Sequence, residues 1–248
     1  MATTAAGLML ATAPAAVAHA IPAKKASDAP ILIGHRGAAG TAPENTVVAF
    51  KDGRASGADF FEIDVQLSAD GVPFLFHDNT PARTTNVAEV FPGRENDPLT
   101  SFTWAELQQL DAGSYFSDRY EGERIPHLDD AADVATVKTG VYIEIKAPVN
   151  SPGIEQVVAD ELRNDPKWTP LVAADKIQVI GFDEASNRRF AAIAPEIELQ
   201  QLTGAVPGRA VVEPWATFAD SVGANYRRLT PQNVADVKLP IWFSASTR

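Results

Sequence analysis

Apolar runs of five to eight residues recur along this chain, each broken at its end by polar or turn-forming residues. That pattern predicts alternating strands and helices. Residues 60–67, FFEIDVQL, are rich in β-branched and aromatic types and read as a strand. Ala69-Asp70-Gly71 is turn chemistry, and 72–76 reads as a second strand that stops at His77-Asp78. Upstream, 31–34 is a short apolar strand ending in His35-Arg36-Gly37, and 46–55 reads as a helix stopped by Gly57. Residues 79–126 are irregular and hold turn formers at Pro81, Pro92-Gly93 and Asn96-Asp97-Pro98. One helix is predicted inside that stretch, over 103–110, with Thr103 as N-cap and Glu106 completing a capping box. A helix over 128–138 and a strand over 141–145 follow. Beyond them the chain predicts helix 154–163, strand 177–180, helix 183–193, strand 198–202, helix 214–221, strand 224–229, helix 231–237 and strand 240–244.

Strands alternating with helices through short loops call for parallel pairing and right-handed crossovers. Eight strands point to an α/β fold of the (β/α)8 TIM-barrel type, with an insertion over about 79–126 after the third strand and a shortened C-terminus. No helix follows the last strand, and residues 1–29 are one candidate to cover the flank this leaves. The barrel is expected over 30–248. Ahead of it, the Ala-rich run at 5–17 and Ala18-His19-Ala20 have the apolar stretch and small-x-small ending of a signal peptide, cut after Ala20. The segment 21–29 reads as a flexible N-terminus. The expected location is secreted or periplasmic, with no stable membrane anchor, because the apolar run is too short for a span.

Composition narrows the chemistry. Thirty-two acidic residues against 21 Lys and Arg give a net charge of −11 over 248 residues. That excess argues against a nucleic-acid partner and against electrostatic docking on anionic lipid. With no cysteine, disulfides and thiolate zinc sites are excluded.

The polar residues inside apolar strands carry the rest. Glu62 and Asp64 lie two apart, so both leave one strand face and repel each other there. Glu144 and Lys146 repeat the arrangement. His35, His77, Glu62, Asp64, Glu144, Arg36 and Lys146 all fall on late-strand positions, which a parallel barrel gathers at one rim. Oxygen-only ligation by three carboxylates suits calcium or magnesium better than zinc. Two imidazoles suit proton transfer near neutrality, and Arg36 and Lys146 are placed to hold phosphate. Together they make a kit for cleaving a phosphate ester. Asn45 is read as lying near the substrate, with Glu44 behind it. His19 and His127 read as structural or solvent-facing, and Trp104, Trp168 and Trp215 as packing residues. Arg83 to Asn86 are open between ordering the irregular stretch and touching substrate.

HRGAAGTAPENT (35–46), EIDVQLSADG (62–71), HDNTPARTTN (77–86), LDAGSYF (110–116), GERIPHL (122–128) and EIK (144–146) occur in this order. On these motifs the chain resembles the glycerophosphodiester phosphodiesterase family, in its bacterial, exported form. The resemblance implies a TIM barrel with a divalent cation, Ca2+ or Mg2+, held by Glu62, Asp64 and Glu144. It implies His35 and His77 as the acid/base pair, phosphate contacts from Arg36 and Lys146, and a glycerol pocket shaped by 79–126. The substrate would be a small glycerophosphodiester, cleaved to glycerol 3-phosphate and an alcohol. The family tends to have Ser-Phe at the fifth strand, where this chain has Gly181-Phe182. It tends to end in Trp-Thr-x-Asn, where this chain has Trp242-Phe243-Ser244-Ala245. Trp242 is expected to wall the pocket. Two rivals remain. One is a related barrel phospholipase, of phospholipase D or sphingomyelinase D type, with an apolar rim from Phe91, Phe102, Tyr115, Phe116 and Tyr120. The other is a binding protein without turnover.

Overall fold

Alternation along each strand sets the architecture. The computed structural model describes residues 30–236 and 242–246, so the segments expected as signal peptide (1–20) and flexible N-terminus (21–29) lie outside it, as does any cover that 1–29 would give the sheet. The strands are β1 (Ile33–Gly34), β2 (Phe60–Leu67), β3 (Pro73–Leu75), β4 (Gly140–Ile145), β5 (Ile177–Gly181), β6 (Glu198–Thr203), β7 (Ser221–Asn225) and β8 (Trp242–Ser246). The helices are α1 (Val47–Ala55), α2 (Val87–Val90), α3 (Trp104–Leu107), α4 (Leu128–Val134), α5 (Ile154–Asn164), α6 (Thr169–Ala173), α7 (Glu184–Ile193), α8 (Arg209–Val212) and α9 (Pro231–Asp236). Phe61, Ile63 and Val65 of β2, Val141, Ile143 and Ile145 of β4, Val179 of β5 and Leu199 of β6 share one face. They form the main core with Phe50 of α1, Leu128 of α4, Val158 of α5 and Phe190 of α7. The other face of the same strands carries Glu62, Asp64, Gln66, Tyr142, Glu144, Gln178 and Gln200, all buried.

Seven strands pair in the order β1-β2-β4-β5-β6-β7-β8, every ladder parallel. Among the described residues no ladder joins β1 to β8. The third predicted strand is a correction to the parallel set of eight: β3 pairs antiparallel to β2, with Val65 opposite Leu75 and Leu67 opposite Pro73. The connection explains it. Ser68 N–H donates to the carbonyl of Val72, and Gly71 sits at φ +81° in the turn. A parallel return needs a crossover of roughly a dozen residues or more, and this turn is far shorter. The irregular stretch therefore starts with β3, not after it. It has a small core of its own, in which Phe74 and Phe76 pack with Leu99, Phe102, Leu107 and Ile125. The Thr103–Glu106 capping box forms at α3. His127 is structural, accepting from the Asp129 N–H as the N-cap of α4.

A second correction falls at the seventh strand. The chain predicts a helix over 214–221 and a strand over 224–229, but the helical part is α8 followed by a 3-10 turn over Glu213–Thr217, and β7 starts at Ser221. Ser-Val-Gly-Ala-Asn has little strand propensity of its own. Tertiary bonds supply the order: Asp220 N–H donates to Leu199 O, and Asp220 Oδ2 accepts from Leu199 N–H, both at 2.8 Å. Trp215 and Trp168 are buried packing residues. Among the described residues no helix is long and apolar enough to cross a membrane.

Candidate active site

β2 and β4 lie side by side with Asp64 opposite Glu144, and Glu62 leaves the same face two residues earlier. All three side chains are buried, and one oxygen from each lies within 4.8 Å of the others. A single divalent ion with bonds of about 2.0–2.6 Å to oxygen spans such a group. Burial, then the charges of Asp64 and Glu144, push the Glu62 carboxyl well above the usual range. Burial and Asp64 raise Glu144 against the pull of Lys146.

Cations and donors close around this acid. Lys146 Nζ donates to Glu144 Oε1 at 2.8 Å and stands 3.5 Å from Asp64 Oδ1. Burial works against its charge, but Asp64 and Glu144 more than offset that and raise its pKa. Arg36 donates its backbone N–H to Glu62 Oε2 at 2.6 Å, and its Nε lies 3.6 Å from Asp64 Oδ2. Asn45 is tied to Asp64 twice: its Nδ2 donates to Oδ2 at 2.8 Å, and its Oδ1 accepts from the Asp64 N–H at 3.1 Å. Arg36 and Asn45 hold φ of 52° and 54°, and Ala147, next to Lys146, holds 39°. Left-handed backbone at three non-glycine residues beside one cluster is strain of the kind that gathers at functional sites. Gly37, at φ +81°, lets the loop lie flush on α1, since a Cβ there would sit 2.5 Å from the Ala49 backbone.

The donor set can be tested against a metal on its own terms. Two buried atoms here make no hydrogen bond, Asp64 Oδ1 and Arg36 Nε; the 3.5 Å approach of Lys146 to that oxygen is an ion pair only. Three oxygen donors, one of them orphaned, fit a hard divalent cation. A guanidinium nitrogen left open beside them fits an anionic ester.

His77 follows β3 by two residues. Gln66, next in the same-face series after Glu62 and Asp64, donates its Nε2 to Phe76 O at 2.7 Å and to Asp78 O at 2.9 Å, pinning the backbone on either side of His77. The His77 Nδ1 to Asp78 Oδ1 distance is 2.7 Å. Burial opposes the charge of Asp78, but hydrogen bonds from Arg83 and His77 bring its pKa down to about 2. A carboxylate only accepts, so the shared proton is on Nδ1 and Nε2 is the nitrogen turned away from Asp78. Burial lowers the His77 pKa; the fields of Asp64, Lys146 and Arg36 also reach it. His35 directly follows β1 and precedes Arg36. A cavity of about 410 Å³ opens beside it, walled by the small residues Gly37, Ala38, Ala39 and Gly40.

Of the residues predicted from sequence, Glu62, Asp64, Glu144, Lys146, Arg36 and Asn45 are brought into direct contact or within an ion's reach. Trp242 opens β8 and pairs with Ser221 through backbone; its side chain lies outside the described residues. Glu44, next to Asn45 in sequence, is bound to Arg36 and Arg83. Gln66 and Asp78 escaped the sequence reading. The signal for Gln66 was there, since it extends the Glu-x-Asp alternation by one step. Of the aromatic residues proposed as a rim, Phe102 and Tyr120 are buried and Tyr115 and Phe116 are exposed.

Comparison with known proteins adds the family. Residues 35–238 match the model of the glycerophosphoryl diester phosphodiesterase family. Mouse glycerophosphoinositol inositolphosphodiesterase GDPD2 is 42% identical over 136 residues, which are 48% of this chain and 25% of the mouse protein. The chain thus spans only a quarter of that relative. A glycerophosphodiester phosphodiesterase of Caldanaerobacter subterraneus is 35% identical over 187 residues, 75% of this chain and 70% of that protein. Among solved structures, an Oleispira antarctica phosphodiesterase in complex with sn-glycerol-3-phosphate matches with a TM-score of 0.71 and 28% identity, over 88% of this chain and 85% of that one. The chain belongs to the glycerophosphoryl diester phosphodiesterase family.

Proposed function

We propose that this chain hydrolyses glycerophosphodiesters to glycerol 3-phosphate and an alcohol. Family membership and the product named in the Oleispira complex support the substrate class. The observation that carries the reading is the buried Glu62, Asp64, Glu144 group, with Arg36 and Lys146 against it. Glu62, Asp64 and Glu144 would hold a calcium or magnesium ion. When bound, that ion supplies Lewis-acid stabilisation of the charge that builds on phosphate. Arg36 and Lys146 orient the phosphate, and Asn45 fixes Asp64 from behind. Trp242 is proposed as a substrate contact on its place in the sequence alone. One of His35 and His77 takes a proton from the glycerol hydroxyl next to the phosphate as it attacks phosphorus, and the other gives one to the leaving alkoxide; the two roles then reverse as water opens the cyclic ester so formed.

The test is protein stripped with EDTA, then given calcium, magnesium or manganese in turn, with glycerol 3-phosphate release from glycerophosphocholine as the readout. Turnover restored by one or more of these ions is expected. Full turnover in the stripped protein, or none with any ion, would contradict the reading.

A second substrate class has one observation in its favour: Tyr115 and Phe116 are exposed, and the Tyr115 hydroxyl accepts from the Glu44 N–H at 3.0 Å. That apolar surface next to the Arg36–Glu44 pair suits a lysophospholipid, and rates on lysophosphatidylcholine and glycerophosphocholine separate the two. We further propose that the seven parallel strands belong to a barrel of TIM type, with the stretch after β2 inserted. On Ala18-His19-Ala20 we propose export with cleavage after Ala20, which N-terminal sequencing of the secreted product tests.

A further inference from the structure

Arg83 stands in the irregular stretch, outside every residue given a role above, and makes two forked ion pairs at once. Its Nη1 and Nη2 hold Glu44 at 3.0 and 2.6 Å, and its Nε and Nη2 hold Asp78 at 2.5 and 3.0 Å. Glu44 accepts from Arg36 Nη1 at 2.7 Å, and Asp78 accepts from His77 Nδ1. A chain of alternating charges therefore runs from Asp64 through Arg36, Glu44, Arg83 and Asp78 to His77. Its inner links belong to different pieces of the molecule. Arg36 and Glu44 come from the loop between β1 and α1; Asp78 and Arg83 come from the stretch after β3.

Gln66 fixes the backbone around His77 but leaves the imidazole free to turn about its side-chain bonds. Asp78 is what fixes the ring; Gln66 of β2 holds its backbone carbonyl, but the carboxylate itself stands on an irregular segment. The planar guanidinium of Arg83 holds that carboxylate in place, because a fork constrains direction as well as distance. Arg83 is itself half-exposed, so these pairs add little to stability. Their effect is geometric.

We propose that Arg83 is a positioning residue: bridging Glu44 and Asp78, it locks the His77 imidazole so that Nε2 faces the site. The proposal rests on the reading of His77 as a proton-transfer group. It goes beyond that reading by assigning the orientation to a residue outside the Glu62, Asp64, Glu144 group.

The experiment compares Arg83→Met, Arg83→Lys and His77→Ala on glycerophosphocholine, with ¹⁵N–¹H spectra of the His77 ring and thermal unfolding of each variant. Misplacing a catalytic group by about 1 Å is worth on the order of 100-fold in rate. Arg83→Met is therefore expected to lower kcat about 10- to 100-fold with KM changed less than about twofold. The Nδ1–H signal of His77 should give way to a mixture of tautomers while the unfolding temperature holds. Arg83→Lys keeps the charge but not the fork; it should recover part of kcat, and it carries the same reading should Arg83→Met fold poorly. Wild-type kcat in both Arg83 variants beside an inactive His77→Ala would overturn the proposal alone, as would an unchanged Nδ1–H signal. Wild-type turnover in His77→Ala would overturn the reading beneath it as well.

Discussion

β2 and β4 present two faces built on the same backbone. On one, Phe61, Ile63, Val65, Val141, Ile143 and Ile145 pack against helices. On the other, one residue out of step, Glu62, Asp64, Gln66 and Glu144 are buried among one another. Both faces exclude water, yet burial acts in opposite directions on them. Each apolar side chain gains roughly 1.5–3 kcal/mol from leaving water. A buried carboxylate loses hydration and repels its neighbours, which is why Glu62 and Glu144 are pushed up. The first face makes the fold stable; the second holds unfavourable charge that a bound cation would relieve.

The largest expected effect breaks the charged face alone. Glu62→Gln keeps an acceptor for the Arg36 N–H and removes a repelling carboxylate. Losing one ligand of a metal worth several kcal/mol in the transition state predicts a rate loss on the order of 1,000-fold. The unfolding temperature should stay level or rise; a drop of many degrees would mean that Glu62 belongs to the structural face. The mirror experiment is Ile143→Ala. It should cost about 2–5 kcal/mol of stability in denaturant unfolding, with kcat of the folded protein unchanged. A thousandfold loss of kcat at that position would erase the distinction.

A smaller effect sharpens the contrast through pH. Asp78 titrates at about 2 in the folded chain, below the ordinary aspartate value near 3.8. A depressed folded value means that the unfolded chain binds the extra proton. The stability Asp78 contributes is then present above about pH 4 and is lost as pH falls through about 2. Asp78→Asn should unfold on the order of 1–3 °C below wild type at pH 5, and the gap should close towards pH 2. The Ile143→Ala deficit should show no such trend. A gap for Asp78→Asn that persists unchanged at pH 2 would assign its role to packing.

Much of the charged face was legible in sequence because a strand has period two. Glu62-x-Asp64 and Glu144-x-Lys146 announce a shared face with no structure in hand. Parallel pairing of β2 with β4 then brings the two motifs together, with Asp64 opposite Glu144. The direction of β3 was legible in principle, since Ala69-Asp70-Gly71 leaves room only for a hairpin; counting strands by apolar runs concealed it. β7 starts three residues before the strand predicted over 224–229, because Ser-Val-Gly-Ala-Asn is ordered by the pairing of the preceding Asp220 with Leu199 of β6 rather than by its own propensity. The Arg83 bridge lies furthest from sequence. Glu44 is 39 residues away, and only the fold brings the two together.

The central claim is that one divalent cation sits between β2 and β4. An anomalous difference map from crystals grown with manganese tests it most directly. The account predicts one strong peak within about 2.0–2.6 Å of oxygens from Glu62, Asp64 and Glu144 together. A map without a peak there at saturating manganese, or with the ion held elsewhere while the protein turns over, would contradict it.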